Sequence, residues 1–344
     1  MTERMMILHR SGPGVTVQDL GRTGYLAQGL SRGGAADPLA LADGAALLGQ
    51  SPDLAALEIA GTAVVVEASA PMRIALSGAP MRAERDGAAL IWNAGHELAP
   101  GQRLNLSPGP RGSFAYLSVA GGIATPERVG GRGAHLAAGL GSPVKAGSRL
   151  PVGGAPQTDA PALWLPEEEA RFDGGSFALL PGPQTHLFDA ATLEAFFATT
   201  FTRTAWGNRQ GVKLGHGGEG VRQTAALDLL SEVVVPGDVQ ITGDGTPYVL
   251  GPECQTIGGY PRIGTLPPTD LCRLLQATPG SPVRFRPVTP QEALATDVSP
   301  AEHARRQRQR AAPLLRDPRD MPDLLSYSLI SGVTAGRELT DKEP

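Results

Sequence analysis

The chain has almost no cysteine. Only Cys254 and Cys272 occur in 344 residues, too few for a disulfide framework and wrongly spaced for a metal-ligand pattern. Lysine is nearly as scarce: Lys145, Lys213 and Lys342 are the three among 30 basic residues. Any anion site is therefore expected to rest on arginine and on backbone N–H groups. A formal net charge of −4 gives no electrostatic case for nucleic acid or a membrane surface as partner. No apolar run approaches the roughly 20 residues that cross a bilayer. The first ten residues, Met1 to Arg10, contain no apolar signal segment, so the cytoplasm is the expected location. Walker-type Gly-x-x-x-x-Gly-Lys-Ser/Thr is missing, as are a strand-borne Gly-x-Gly-x-x-Gly and His-Glu-x-x-His; His96-Glu97 lacks the second histidine. The six histidines are dispersed, and no metal site is expected. Met-Lys is also missing, so biotin, if used, must be carried by another chain.

Turn residues are abundant instead. The chain contains 45 glycines and 31 prolines, and 41% of its residues are hydrophobic. Apolar runs broken by frequent turns imply many short strands, and the length suits two domains or one large one. Strands are expected at Val15–Val17, Tyr25–Ala27, Leu57–Ile59, Ala63–Val66, Arg73–Leu76, Ala88–Trp92, Arg103–Leu106 and Phe114–Val119. Asp86-Gly87 reads as a hairpin turn. Asp37-Pro38 starts a helix that Gly49 ends, with Leu39, Ala42, Ala46 and Leu47 as its apolar stripe. Glu58 lies mid-strand among apolar residues and needs a partner if buried; an arginine of residues 11–37 is one candidate, and a solvated strand face the alternative. Residues 151–170, rich in proline and ending in a Glu run, read as a linker. Further on, strands are expected at Phe177–Leu180, Val233–Val235, Val239–Ile241, Tyr248–Leu250 and Val283–Phe285, and helices at Asp189–Thr199 and Thr269–Gln276. Beyond Pro287 the composition changes. Ala301–Arg310 is polar almost all round, a solvated helix or a flexible tail, and the apolar Leu324–Val333 could dock on the body or on a partner.

Residues 11–37 concentrate the chemistry. Gln18, Asp19, Arg22, Arg32 and Asp37 stand among seven glycines, which let the backbone turn and let a ligand approach closely. A surface loop pinned by ion pairs is the competing reading, and Asp37 also reads as a helix cap. Gly29-Leu-Ser-Arg-Gly33 fits the nucleophile-elbow pattern, but the segment before it is short and half polar where that motif needs a buried parallel strand.

Val17-Gln-Asp-Leu-Gly-Arg-Thr-Gly-Tyr25, with Ser31-Arg-Gly-Gly-Ala-Ala-Asp37, resembles the opening of the allophanate hydrolase subunit 2 family. Ala115–Ile123, Ser231–Gln240 and Gln255–Arg262 extend the resemblance, in order, across residues 11–286. That family includes the C subunit of bacterial 5-oxoprolinase and part of the carboxyltransferase region of urea amidolyase. The resemblance implies a mostly β protein with a few short helices, built as two cyclophilin-like β barrels, at 5–160 and 165–287, with a helical or flexible tail at 288–344. It implies a subunit of an ATP-dependent hydrolase of a small-molecule lactam or other amide, with magnesium accompanying ATP. The partners would be an allophanate hydrolase subunit 1-like chain and a lactam-utilisation-type subunit. A carboxyltransferase component acting on urea or a related amide is one alternative, and a non-catalytic regulatory subunit another. Asp19, Arg22, Arg32 and Asp37 are then the candidate catalytic residues. Gln18, Glu58, Arg132, Arg209, Gln255, Thr256 and Tyr260 are the candidate binding residues, with the glycine-lined bends of both halves expected to converge on one arginine-rich pocket. Three departures from the family pattern stand out: Gly131-Arg-Gly-Ala-His135 for Gly-Ser-Arg-Ser-Thr, Gly207-Asn-Arg-Gln-Gly211 for Ser-Asp-Arg-Met-Gly, and Cys254 where relatives carry arginine.

Overall fold

Two antiparallel sheets account for the first half of the chain. A computed structural model describes residues 4–155, 160–166, 169–218, 220–221 and 229–315. One sheet runs in the order Arg149–Pro151, Met5–Ser11, Val64–Ala68, Arg103–Pro108, Met81–Arg85, Ala88–Leu90. The other runs Val15–Gln18, Ala56–Ala60, Phe114–Val119, Met72–Gly78, Gly95–Leu98. In the outer strands burial alternates with the pleat, as at Val64–Ala68, where Val64, Val66 and Ala68 point inward. These residues, with Leu8, Leu57, Ile59, Leu76, Leu104 and Leu117, fill the space between the sheets. Phe114–Val119 is different, because all six of its residues are buried. Ala115, Leu117 and Val119 face the first core, whereas Phe114 and Tyr116 face a second one.

The second half is a seven-stranded sheet, ordered Gly175–Leu179, Pro282–Pro287, Phe201–Asn208, Gly211–Gly215, Pro247–Leu250, Asp238–Ile241, Arg262–Thr265. Leu180 and Thr265 exchange two backbone hydrogen bonds of 2.9 Å, so the last strand meets the first and the sheet nearly closes into a barrel. Closure removes the exposed edges that otherwise invite pairing with other chains. Gly175–Leu179 and Pro282–Pro287 pair in parallel, whereas the other neighbours in this sheet are antiparallel.

Five short helices complete the described residues: α1 Pro38–Leu48, α2 Ala190–Ala198, α3 Pro268–Gln276, α4 Pro290–Thr296 and α5 Pro300–Arg310. Asp37 caps α1 by accepting from the N–H groups of Leu39 and Ala40, and Gly49 ends it in the left-handed conformation at φ 67°. The expected apolar stripe understates α1: every residue from Leu39 to Leu48 is buried. The helix lies close on the sheet because Gly44 has no side chain; a Cβ there would lie 2.4 Å from Ser118 Oγ. The second core runs without a break from Leu41, Phe114 and Tyr116 into Phe177, Phe196, Phe201 and Phe285. Gln276 of α3 reinforces that junction. Its Oε1 accepts from the N–H groups of Ser113 and Phe114, and its Nε2 donates to Phe114 and Asp37.

Two expectations change. Tyr25–Ala27 is not a strand; Leu26–Gln28 forms a single 3-10 turn. Residues 301–310 do form a helix, but it docks. Ala304 packs between Ala42 and Ala46, while His303 and Gln307 bond the buried Asp43 at 2.7 and 3.0 Å. The apolar stretch at 324–333 and the acidic residues 167 and 168 lie outside the described residues. No described helix is long and apolar enough to cross a membrane.

Candidate functional site

The pleat decides where Glu58 points. Leu57 and Ile59 face the first core, so Glu58 faces the second half, directly across from Tyr116 on the neighbouring strand. Its Oε2 accepts from Tyr116 Oη at 2.7 Å and from Ala36 N–H at 2.8 Å. Tyr116 Oη in turn accepts from Asp37 N–H. Burial, and then the charge of Glu58, push the Tyr116 phenol well above its ordinary range, so it stays a donor. The cation that balances Glu58 is Arg209, from the turn after Phe201–Asn208, and not an arginine of residues 11–37. Arg209 Nη1 lies 2.5 Å from Glu58, its Nε lies 2.6 Å from Glu253, and its Nη2 donates to the Gly34 carbonyl. Burial alone would lower the Arg209 pKa, but the two carboxylates outweigh it and hold the guanidinium above its ordinary value. Glu253 also accepts from Leu136 and Ala137 N–H. One arginine thus ties its own turn and the loops at 34 and 253 to a strand of the first half.

Beside this junction, the glycine-rich segments at 18–37 and 128–141 interlock. Asp19 accepts from the N–H groups of Gly21, Arg132 and Gly133. Arg22 is buried, and it donates to the carbonyls of Arg128, Gly131 and Gly133. Gln18 bonds Thr16 and the Ala134 carbonyl. Gly133 is required here, since a Cβ would lie 2.7 Å from Asp19 and 2.9 Å from Gln18. Ser31 Oγ lies 2.9 Å from His135 Nε2. That pair is not a nucleophile and its base. His135 Nδ1 accepts from Ala138 N–H, so the ring proton resides on Nε2 and is donated to Ser31. Burial pushes the imidazole pKa down and keeps it neutral.

The other candidates scatter. Asp37 is fully buried, engaged in capping α1 and in a two-point contact with Arg171 at 2.5 and 2.6 Å. Arg32 lies on the surface, with Nε donating to the Leu20 carbonyl. Arg22 and Arg132 share one small cavity, while Arg209 is locked in the junction and Arg32 is outside both. A single arginine-rich pocket drawn from both halves does not form.

A larger cavity opens on the second half. It measures about 870 Å³ and is lined by Trp206, Gln210, Lys213, Gln240, Asp244, Tyr248, Gln255 and Tyr260, among others. Two turns connect it to the junction. In each, residues one or two positions apart face different ways: Arg209 and Glu253 point into the ion pair, Gln210 and Gln255 into the cavity. The rings of Trp206 and Tyr248 meet edge to face at 5.2 Å. Gln240 is 2% exposed, and among the described residues its Nε2 has no hydrogen-bond partner. A buried donor left unpaired is costly unless a ligand uses it. Of the binding residues expected from the sequence, Gln255 and Tyr260 line this cavity, whereas Thr256 does not. Trp206, Lys213, Gln240, Asp244 and Glu253 were missed. The polar turn at 206–211 was the available signal; Gln240 gave none, because a strand glutamine looks solvated until its neighbours are known.

Residues 28–287 match the family described as carboxyltransferase domain, subdomain A and B. The chain is 35% identical over 301 residues to the C subunit of 5-oxoprolinase from Escherichia coli strain K12, covering 84% of this chain and 93% of that protein. It is 25% identical over 311 residues to urea amidolyase of Lachancea kluyveri, covering 82% of this chain and 17% of that protein. The crystal structure of the K. lactis urea amidolyase shares the fold, with a TM-score of 0.79 at 22% identity over 91% of this chain and 21% of that one. The chain therefore spans nearly all of the bacterial protein and about a fifth of each amidolyase. With its two-sheet first half, its nearly closed second sheet and a match extending over both, this chain belongs to the carboxyltransferase domain, subdomain A and B, family.

Proposed function

We propose that the chain is the C subunit of a 5-oxoprolinase-type complex and that its cavity holds the small cyclic amide. This reading is carried by similarity over almost the full length of the bacterial protein. The lining agrees with it: a carboxylated lactam presents a carbonyl acceptor, a flat ring and one negative charge. Gln240 Nε2 offers the unpaired donor, Trp206 and Tyr260 offer ring faces, and Lys213 offers one ammonium. A donor fixed in a buried site favours a carbonyl oxygen most as charge develops on it.

The lining fits ATP poorly. Among the described residues, Lys213 is its sole cation, Asp244 opposes it, and no arginine contributes. Among the described residues no cluster of His, Cys, Asp or Glu could hold magnesium. ATP and its metal are accordingly assigned to a partner, either the subunit 1-like chain or the lactam-utilisation-type subunit. A second reading, carboxyl transfer to an amide from biotin on another chain, has support from the urea amidolyase relative; a ureido ring would meet the same amides and ring faces.

The test is to co-purify the chain with those two partners and follow ATP-dependent glutamate release from 5-oxoproline. Tyr260→Ala and Gln240→Met should each raise KM several-fold. A complex that turns over normally with both variants would remove the cavity from the reaction. ATP- and biotin-dependent carboxylation of an amide without ring opening would favour the second reading.

A further inference from the structure

We infer that the chain carries a second binding site, separate from the cavity above: a pocket for a small phosphate-like oxyanion, formed by Arg22, Arg128, Arg132 and Thr125. The pocket measures about 210 Å³ and shares no lining residue with the larger cavity. A phosphate or a short phosphorylated fragment fits that space, and a whole nucleotide does not. Arg22 is 3% exposed, and among the described residues no carboxylate pairs with it. Its Nε and Nη2 are spent on three backbone carbonyls, while Nη1 is buried with no partner among the described residues. Buried guanidinium groups are normally paired, because an uncompensated charge in the interior is expensive. Thr125 Oγ1 is a second buried atom without a partner on the same wall.

The charges around the pocket leave it positive. Arg128 is exposed and makes no ion pair among the described residues. Arg132 donates to the Thr125 carbonyl and lies 3.7 Å from Glu127, whose side chain is 64% exposed, so that pair is weak. The nearby Asp19 carboxylate already accepts from three N–H groups. Three guanidiniums therefore face two carboxylates, one in solvent and one held by backbone donors. Arg22 also grips the turn that presents Arg128. Val129 adopts φ 52°, a conformation β-branched residues avoid, and Arg22 Nε holds the Arg128 carbonyl just before it. An oxyanion would take Arg22 Nη1 and the Thr125 hydroxyl as donors and complete the charge balance.

The experiment is isothermal titration of the full-length chain with inorganic phosphate, phosphoglycolate and ATP, at ionic strength fixed with chloride. Saturable phosphate binding is expected, weakened about tenfold in Arg128→Gln and in Thr125→Val. Arg128 is exposed and Thr125 half-buried, so these two variants decide the matter even if the buried Arg22→Lys fails to fold. Binding of phosphoglycolate alone, with the same sensitivity, would identify the source as a small phosphorylated metabolite. No saturable binding of either, binding indifferent to both variants, or binding of ATP alone would overturn the assignment.

Discussion

Replacing Arg209 with methionine keeps an unbranched apolar stem and removes the charged guanidinium. Glu58 and Glu253 then face each other in the interior without a cation, and the Gly34 carbonyl loses its donor. Breaking a buried ion pair in this way costs about 3–5 kcal/mol. For 344 residues, the unfolding entropy of about 2.1 cal/mol/K per residue gives about 0.7 kcal/mol/K if the chain melts as one unit. The loss therefore converts to a fall in Tm of about 5 °C. Its pH dependence carries the mechanism. In the variant, taking up a proton is the least costly repair for two unpaired buried carboxylates, so the folded state binds more protons than the unfolded chain. Its stability then falls as pH rises. Calorimetry at pH 8 and pH 5.5 should show the full deficit at the higher pH and a smaller one at the lower. Adding Glu58→Gln to the variant should recover part of the loss, because the two sites share one network. A Tm unchanged within about 1 °C, or a deficit identical at both pH values, would refute the ion pair as the element that joins the halves.

Gln240→Met should leave the unliganded protein as stable or up to about 2 kcal/mol more stable, since it removes a buried donor that has no partner, while weakening ligand binding; chemical denaturation and titration on the same sample separate the two effects. His96 and His135 are both held below the ordinary imidazole value by burial. The unfolded chain therefore binds protons first, and stability should fall as pH drops through about 6.5; His96→Gln should flatten the slope of the urea midpoint between pH 7.5 and 5.5. Gly133→Ala places a methyl against Asp19 and Gln18 and should cost about 1–3 kcal/mol, visible as a lower urea midpoint with an unchanged slope.

Local chemistry was legible in the sequence and long-range pairing was not. Asp37-Pro38 and Gly49 mark the ends of α1 because caps depend on neighbours within one turn. The strands at 57–59, 103–106 and 239–241 follow from runs of a few residues. The partner of Glu58 lies 151 positions away, and nothing in the periodicity of either segment points to the other. The docking of α5 was equally hidden. Its buried face is Ala304 with His303 and Gln307, a surface that looks solvated until the carboxylate of Asp43 is placed beneath it. Residues 18, 19 and 22 stood out with Arg32 and Asp37 because the glycines among them mark close backbone approach, but Arg32 lies on the surface and Asp37 caps α1. The roles differ from those expected, since the same polar atoms mostly bond one another's loops.

The unbroken apolar layer through Leu41, Phe114, Tyr116 and Phe177 rules out a clamshell. Swinging the halves apart would wet aromatic rings and strip Arg209 of the Glu58 counter-charge. They must travel as one rigid body. The aromatic cleft is thus shaped before anything arrives, and selection among visitors depends on fit at its walls instead of on a gate between lobes.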